Sequence, residues 1–128
     1  NYMIASDTRV KAAVAGAGIA NMLGGYGMDQ YAREYELELG LPWVETQRWM
    51  DLSYPFFHAD RITAPTLYLC GEVDWNVPCT GSMQMYQALR ANEVPSVYEK
   101  YTKSTRRGSS VRGNSSGGSP EARKYLEW

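Results

Sequence analysis

Apolar and polar positions along the chain fall into short segments separated by glycine and proline. Asn1–Asp7 has the pattern of the last turns of a helix, whose beginning is expected before Asn1. Val10-Lys11-Ala12-Ala13-Val14-Ala15 reads as a short strand of small residues, closed by Gly16 and Gly18. Gly24, Gly25 and Gly27 then mark a loop. From Asp29 to Leu39 the period becomes helical, with Tyr31, Tyr35 and Leu39 four residues apart, and Gly40 and Pro42 end it. Thr66-Leu67-Tyr68-Leu69-Cys70 is a continuous apolar run bounded by Pro65 and Gly71, the pattern of a strand covered on both faces of a parallel sheet. Gly81–Ala91 predicts a helix with Met85, Tyr86 and Leu89 inward. Val97–Tyr101 predicts a strand whose charges suit a sheet margin. A last helix is signalled by Ser119 and Pro120, with Ala122, Tyr125 and Leu126 as its inward face. Strands and helices alternate at crossover spacing, which predicts an α/β fold with about three parallel strands in an incomplete sheet.

One stretch breaks this rhythm. Residues 102–120 hold six Ser, four Gly and four basic residues, no acid, and Val111 as their only aliphatic side chain. Such a composition buries too little apolar surface to offset its ordering entropy, and predicts a disordered tract. Basic residues without interleaved aromatics give no base-stacking platform, so no nucleic-acid partner is expected.

Composition narrows the classes further. The chain has 128 residues, enough for one domain, and 44% are apolar, as in globular proteins. Thirteen basic residues against fourteen acidic ones leave a net charge of −1, so no global field favours nucleic acid or an anionic membrane. No apolar run approaches the roughly 20 residues of a membrane span, and no membrane partner is expected. The start lacks the basic and apolar regions of a signal peptide and does not begin with Met, which leaves the compartment open. Residues 29–51 carry six acids and two bases, read as a solvated face. Cys70 and Cys79 are too few for a disulfide framework and read as two ordinary thiols. With His58 the only histidine, no metal site is expected.

Two segments could carry chemistry. Gly16-Ala17-Gly18-Ile19-Ala20-Asn21 follows a strand, as a dinucleotide-binding turn does. Asn21 stands where that turn needs its third glycine, and later glycines interrupt the helix that would hold a pyrophosphate; no cofactor is expected. The second is Gly71-Glu72-Val73-Asp74-Trp75-Asn76-Val77-Pro78, directly after the apolar strand. An acid just past the carboxyl end of a parallel strand lies where α/β sheets place their sites. By itself Asp74 could equally cap the helix after Pro78, and Asn76 and Val77 could serve as turn and packing residues.

Ser53-Tyr54-Pro55, then Ala59-x-x-Ile62-x-x-Pro65-Thr66-Leu67, then Gly71-Glu72-x-Asp74-x-x-Val77-Pro78, in this order, resembles the prolyl oligopeptidase family of serine peptidases. The acylaminoacyl-peptidase and dipeptidyl-peptidase branches are the most similar. The likeness runs from Asn1 to about Tyr101 and resumes weakly over Glu121–Trp128. It implies the C-terminal portion of an α/β-hydrolase domain of about twice this length, acting on short peptides through an acyl-enzyme. Asp74 matches the triad aspartate, which accepts the Nδ1–H of a histidine and stabilises the imidazolium. Asn76 and Val77 match positions lining the substrate pocket, Asn76 toward a substrate carbonyl and Val77 toward the P1 side chain.

The family's nucleophile, in a Gly-x-Ser-x-Gly-Gly elbow, is expected several residues before Asn1. Its histidine is expected about 32 residues after the aspartate, in the order of the α/β-hydrolase triad. That place is Arg106, inside the Ser/Gly/Arg tract, which reads as a frame error or a degenerate gene. His58 precedes the apolar strand and is read as a helix or loop residue. With nucleophile and base both missing, the chain is expected to be inactive by itself. The alternatives are an esterase-like hydrolase of the same fold and a non-catalytic α/β interaction module.

Overall fold

A computed structural model describes residues 1–101. Its elements are α1 (Tyr2–Ser6), β1 (Ala13–Gly16), α2 (Ala32–Leu39), α3 (Thr46–Leu52), α4 (Tyr54–Phe57), a 3₁₀ turn (Ala59–Arg61), β2 (Thr66–Gly71), α5 (Thr80–Ala91) and β3 (Ser96–Tyr101). The three strands form one parallel sheet in the order β1-β2-β3. The Ser/Gly/Arg tract, the frame-error reading and the helix expected from Ser119 lie outside the described residues.

Strand register explains the choice of side chains. Ala15, Tyr68 and Tyr98 stand in one row across the sheet. The small alanines of β1 leave room beside Tyr68, which is wholly buried with Ile4, Ile62, Met85 and Leu89. α5 supplies Met85 and Leu89 at four-residue spacing, while Tyr86 stacks on Tyr98 with ring centroids 5.7 Å apart. Gly81 is where this helix enters. A Cβ there would stand 3.0 Å from the Gly18 carbonyl oxygen, so glycine permits the close approach of α5 to the chain leaving β1.

The opposite face of the sheet differs from expectation. Val14, Leu67 and Val97 form its leading row. Val14 is 64% exposed, and Leu67 and Leu69 are only half-buried. β2 is therefore sealed on the Tyr68 face alone by residues 1–101, because α1, α5 and the 3₁₀ turn all pack into the cluster on that side.

α2 begins three residues after Asp29 and ends at Gly40, whose φ of +81° suits glycine. Its acids Glu34 and Glu38 are exposed, as a solvated face requires. α3 has a single buried anchor, Trp49, which has no exposed surface and donates its indole N–H to the Gly40 carbonyl at 3.0 Å. Tyr26 and Tyr35 meet Trp49 edge-on at 5.5 and 6.4 Å between centroids. His58 ends α4, with its ring stacked 4.0 Å from that of Tyr54 and its Nδ1 3.0 Å from the Tyr54 carbonyl oxygen. It is a turn residue occupied by its own helix.

The cysteines correct the sequence reading. Cys70 and Cys79 form a disulfide, with Cα atoms 5.3 Å apart. The chain leaves β2 and folds back at once to start α5, so positions nine apart become neighbours. The expectation of two free thiols fails because sequence spacing does not reveal that return.

Candidate active site

The loop from Gly71 to Cys79 joins the carboxyl end of β2 to the start of α5. Glu72 extends the sheet by one bond, its N–H reaching the Tyr101 carbonyl at 2.8 Å. The chain then turns, and the Asp74 N–H reaches back to the Gly71 carbonyl at 3.2 Å. This turn draws Asp74 inward until only 4% of it is exposed. A buried carboxylate must be hydrogen-bonded to remain charged at acceptable cost. Here Oδ1 accepts the backbone N–H groups of Asn76 and Val77, both at 3.0 Å. Oδ2 has no partner among the described residues. Asp74 thus orders its own loop and keeps one oxygen for a further donor. Capping of α5 is not its role, since the N-cap position is Cys79.

Asn76 and Val77 leave this turn in different environments. Val77 is 6% exposed and is the buried apolar side chain of the loop. Asn76 is half-buried, and its Oδ1 accepts the side-chain amide N–H of Gln30 and, at 3.4 Å, the hydroxyl of Tyr31. The Gln30 backbone N–H also reaches the Trp75 carbonyl at 3.3 Å. With Oδ1 occupied, the Asn76 amide nitrogen is the group left to address a ligand, and it can only donate.

Asp29 holds the approach from the other side. Its Oδ1 accepts the Tyr31 N–H at 2.7 Å and its Oδ2 the Tyr35 hydroxyl at 3.2 Å. Burial, with the Asp29 charge second, pushes the Tyr35 phenol up to about 12. Tyr26 is raised in the same direction, chiefly because its hydroxyl donates to Glu36 at 2.6 Å. Both phenols stay neutral donors at ordinary pH. Between this segment and α5 lies a cleft of about 20 Å³, bordered by Ile19, Met22, Met28, Asp29, Tyr35 and Pro78. That volume holds about one water, so it is too small for a peptide side chain.

The structure brings Asp74, Asn76 and Val77 together on one turn. It adds Gln30 and Tyr31, which sequence reasoning did not place at the site. The sequence pattern places Tyr31 only in a helical stripe, and 45 residues separate it from Asn76. No local spacing carries such a contact. The dinucleotide reading fails on the same ground plan. Residues 22–28 are turns, and the next helix after Gly16-Ala17-Gly18 begins only at Ala32. No group of His, Cys, Asp and Glu suited to a metal occurs among the described residues. No helix among them is long and apolar enough to cross a membrane.

Comparison with solved structures shows the same architecture elsewhere. The acylaminoacyl peptidase of Pyrococcus horikoshii superposes with a TM-score of 0.75 at 23% identity, over 88% of this chain and 18% of that one. A puromycin-hydrolyzing peptidase of Mycobacterium tuberculosis gives 0.68 at 27% identity, over 80% and 16%. A putative dipeptidyl aminopeptidase IV of Bacteroides ovatus gives 0.64 at 14% identity, over 80% and 14%. The chain therefore spans less than a fifth of the length of these structures. No curated protein sequence matches it. The model of the prolyl oligopeptidase family matches residues 2–121, nearly the whole sequence. Three parallel strands with flanking helices complete the likeness to a partial α/β-hydrolase fold, and the chain belongs to the prolyl oligopeptidase family.

Proposed function

We propose that this chain is the acid-bearing portion of a serine peptidase that cleaves short peptides through an acyl-enzyme. One observation carries the reading. Asp74 is a buried carboxylate past the carboxyl end of a parallel strand, with one oxygen pinned by two backbone N–H groups and the other unpartnered among the described residues. Such a group suits the orienting of an imidazole. It would accept Nδ1–H, fix the tautomer, and stabilise the imidazolium formed as a serine attacks. The Asn76 amide nitrogen would donate to a substrate carbonyl, and Val77 would border the P1 side chain.

Residues 1–74 contain no Gly-x-Ser-x-Gly elbow, and Arg106 occupies the place expected for the histidine. One orienting carboxylate without nucleophile or base performs no acyl transfer, so the 128 residues by themselves are inactive on this reading. Support for a peptide substrate comes from the family and from a related acylaminoacyl peptidase solved with Z-Gly-Gly-Phe-chloromethyl ketone.

The test is covalent labelling by a fluorophosphonate. The gene is resequenced from about 600 bases upstream of the Asn1 codon, with the tract read in all frames, and the restored product is expressed. A serine elbow upstream and a histidine codon near position 106 in a shifted frame should yield a protein that labels, and Asp74→Asn should slow labelling strongly. A restored product that labels equally well with Asp74→Asn, or does not label at all, sinks the reading.

A further inference from the structure

The disulfide closes the very loop that holds the candidate site. Cys70 is the fifth residue of β2, Cys79 is the N-cap of α5, and the eight residues between them include Asp74, Asn76 and Val77. Past Glu72, which is tied to β3, the other restraints on this loop are few. Val73 is 40% exposed and Trp75 73% exposed, so neither anchors it, and Val77 is its one buried apolar side chain. Its hydrogen bonds are the Glu72 N–H to the Tyr101 carbonyl and the Lys100–Glu72 ion pair at its start, the Gly71 turn, the two bonds to Asp74 Oδ1, and the contacts of Trp75 and Asn76 with Gln30 and Tyr31. Without the bridge, the loop ends are tied only through the sheet and the start of a helix. A segment with few buried contacts opens locally at low cost, and a covalent closure removes many of its open states.

We propose that the Cys70–Cys79 bridge is the positioning element of the Asp74 loop, and that reduction by a dithiol disorders the site while the sheet and α5 stay folded. Consequences for catalysis rest on the peptidase reading above; the effect on the loop does not. Cys70 is only 3% exposed and Cys79 is half-buried, which makes Cys79 the more accessible of the two cysteines. A thiolate of the dithiol attacks Cys79 Sγ, the Cys70–Cys79 bond breaks, and Cys70 departs as a thiolate that takes up a proton. The second thiol of the reagent then displaces Cys79, which is protonated in turn. Two electrons and two protons pass to the protein, and the reagent leaves as its own disulfide. The Tyr98 hydroxyl, 3.3 Å from Cys70 Sγ, provides a donor to that buried sulfur in both states.

Hydrogen–deuterium exchange on the purified protein, before and after dithiothreitol, tests this. The peptide containing the Asn76 and Val77 amides should exchange about tenfold faster after reduction, as local opening without the closure requires. Peptides covering β2 and the Met85–Leu89 turn of α5 should not change. Cys79→Ser should show the fast exchange without reductant and no response to it. Unchanged loop exchange overturns the proposal. So does acceleration throughout the chain, which would make the bridge a global staple, and so does alkylation of both cysteines in air without reductant. In a product that labels with fluorophosphonate, reduction should lower kcat at least tenfold, and Cys79→Ser should be low in both states. Equal kcat in both states overturns the positioning role. No turnover in either state, with the loop still responding, counts against the peptidase reading and supports the bridge.

Discussion

Asp74 Oδ1 accepts the backbone N–H of Val77 at 3.0 Å, inside a turn where both residues are more than nine-tenths buried. The carboxylate thus has a structural task separable from any chemical one. Asp74→Ala leaves the Val77 donor buried without an acceptor, at a cost of about 1–3 kcal/mol. Asp74→Asn keeps an amide oxygen in place and should lose no more than about 1 kcal/mol. Chemical denaturation of the two variants reads this difference. In an active restored product, however, both should lose catalysis, Asn by roughly 10⁴ in kcat if the carboxylate orients an imidazole as in the serine-protease template. Equal stability losses for both variants would show that the oxygen is not what the turn requires.

Gln30 and Asn76 form the second testable pair. Gln30 presents an N–H to Asn76 Oδ1, which directs the Asn76 amide nitrogen away from it. A carboxylate at position 30 would demand a donor, and the Asn76 amide would turn over to supply one. Its oxygen would then face the ligand and repel a carbonyl. Gln30→Glu should therefore raise KM about tenfold, the worth of one such hydrogen bond, with kcat nearly unchanged. Tyr31→Phe removes a longer contact of 3.4 Å and should have a smaller effect in the same direction. Steady-state kinetics on the restored product checks both, and a fall in kcat with unaltered KM would contradict the assignment.

The sequence made legible what depends on nearest neighbours. β2 was announced by an apolar run between Pro65 and Gly71, and it spans Thr66–Gly71. α5 was announced by Met85 and Leu89 at helical spacing, and both are fully buried. α3 and α4 escaped notice because each is short and buries one principal residue, Trp49 in one and Pro55 in the other. A single anchor gives no periodicity. The disulfide and the Gln30–Asn76 bond were hidden for a related reason. Both depend on a chain reversal or a crossover bringing distant residues together, which no local pattern encodes. Asp74 was singled out by its place after a parallel strand, and the structure adds its two hydrogen bonds.

Alkaline stability should report on Tyr68. Burial pushes its phenol up to about 12, opposed in part by the Thr66 hydroxyl, while the unfolded chain titrates near 10. The folded state therefore keeps its proton over a range where the unfolded state has lost it. The resulting stability is complete below pH 10 and disappears as pH rises through the folded value. The loss amounts to about 2–3 kcal/mol for a shift of this size. Urea unfolding between pH 9 and 12 should show that decline, and Tyr68→Phe should remove it. A decline of equal slope in Tyr68→Phe would assign it to other phenols, Tyr35 first among them.

Among the described residues β1 has one unpaired edge, which yields the last prediction. The N–H groups of Ala13 and Ala17 reach across to Pro65 and Leu69, both at 2.9 Å. Alternation along a parallel strand then directs those of Val14 and Gly16 to the open side. Val14 adds an apolar side chain 64% exposed, at the head of the half-covered Val14-Leu67-Val97 row. An unpaired edge beside apolar surface is a template for another chain. The 128-residue chain should therefore associate with rising concentration. Val14→Lys places a charge on that edge without touching a bond between β1 and β2, so stability should change by no more than about 0.5 kcal/mol. Sedimentation velocity should show a lower mean mass for the variant at each concentration. Should the variant associate as strongly as the parent, the contact lies elsewhere than β1, and Leu67→Lys on the same face would be the next substitution to try.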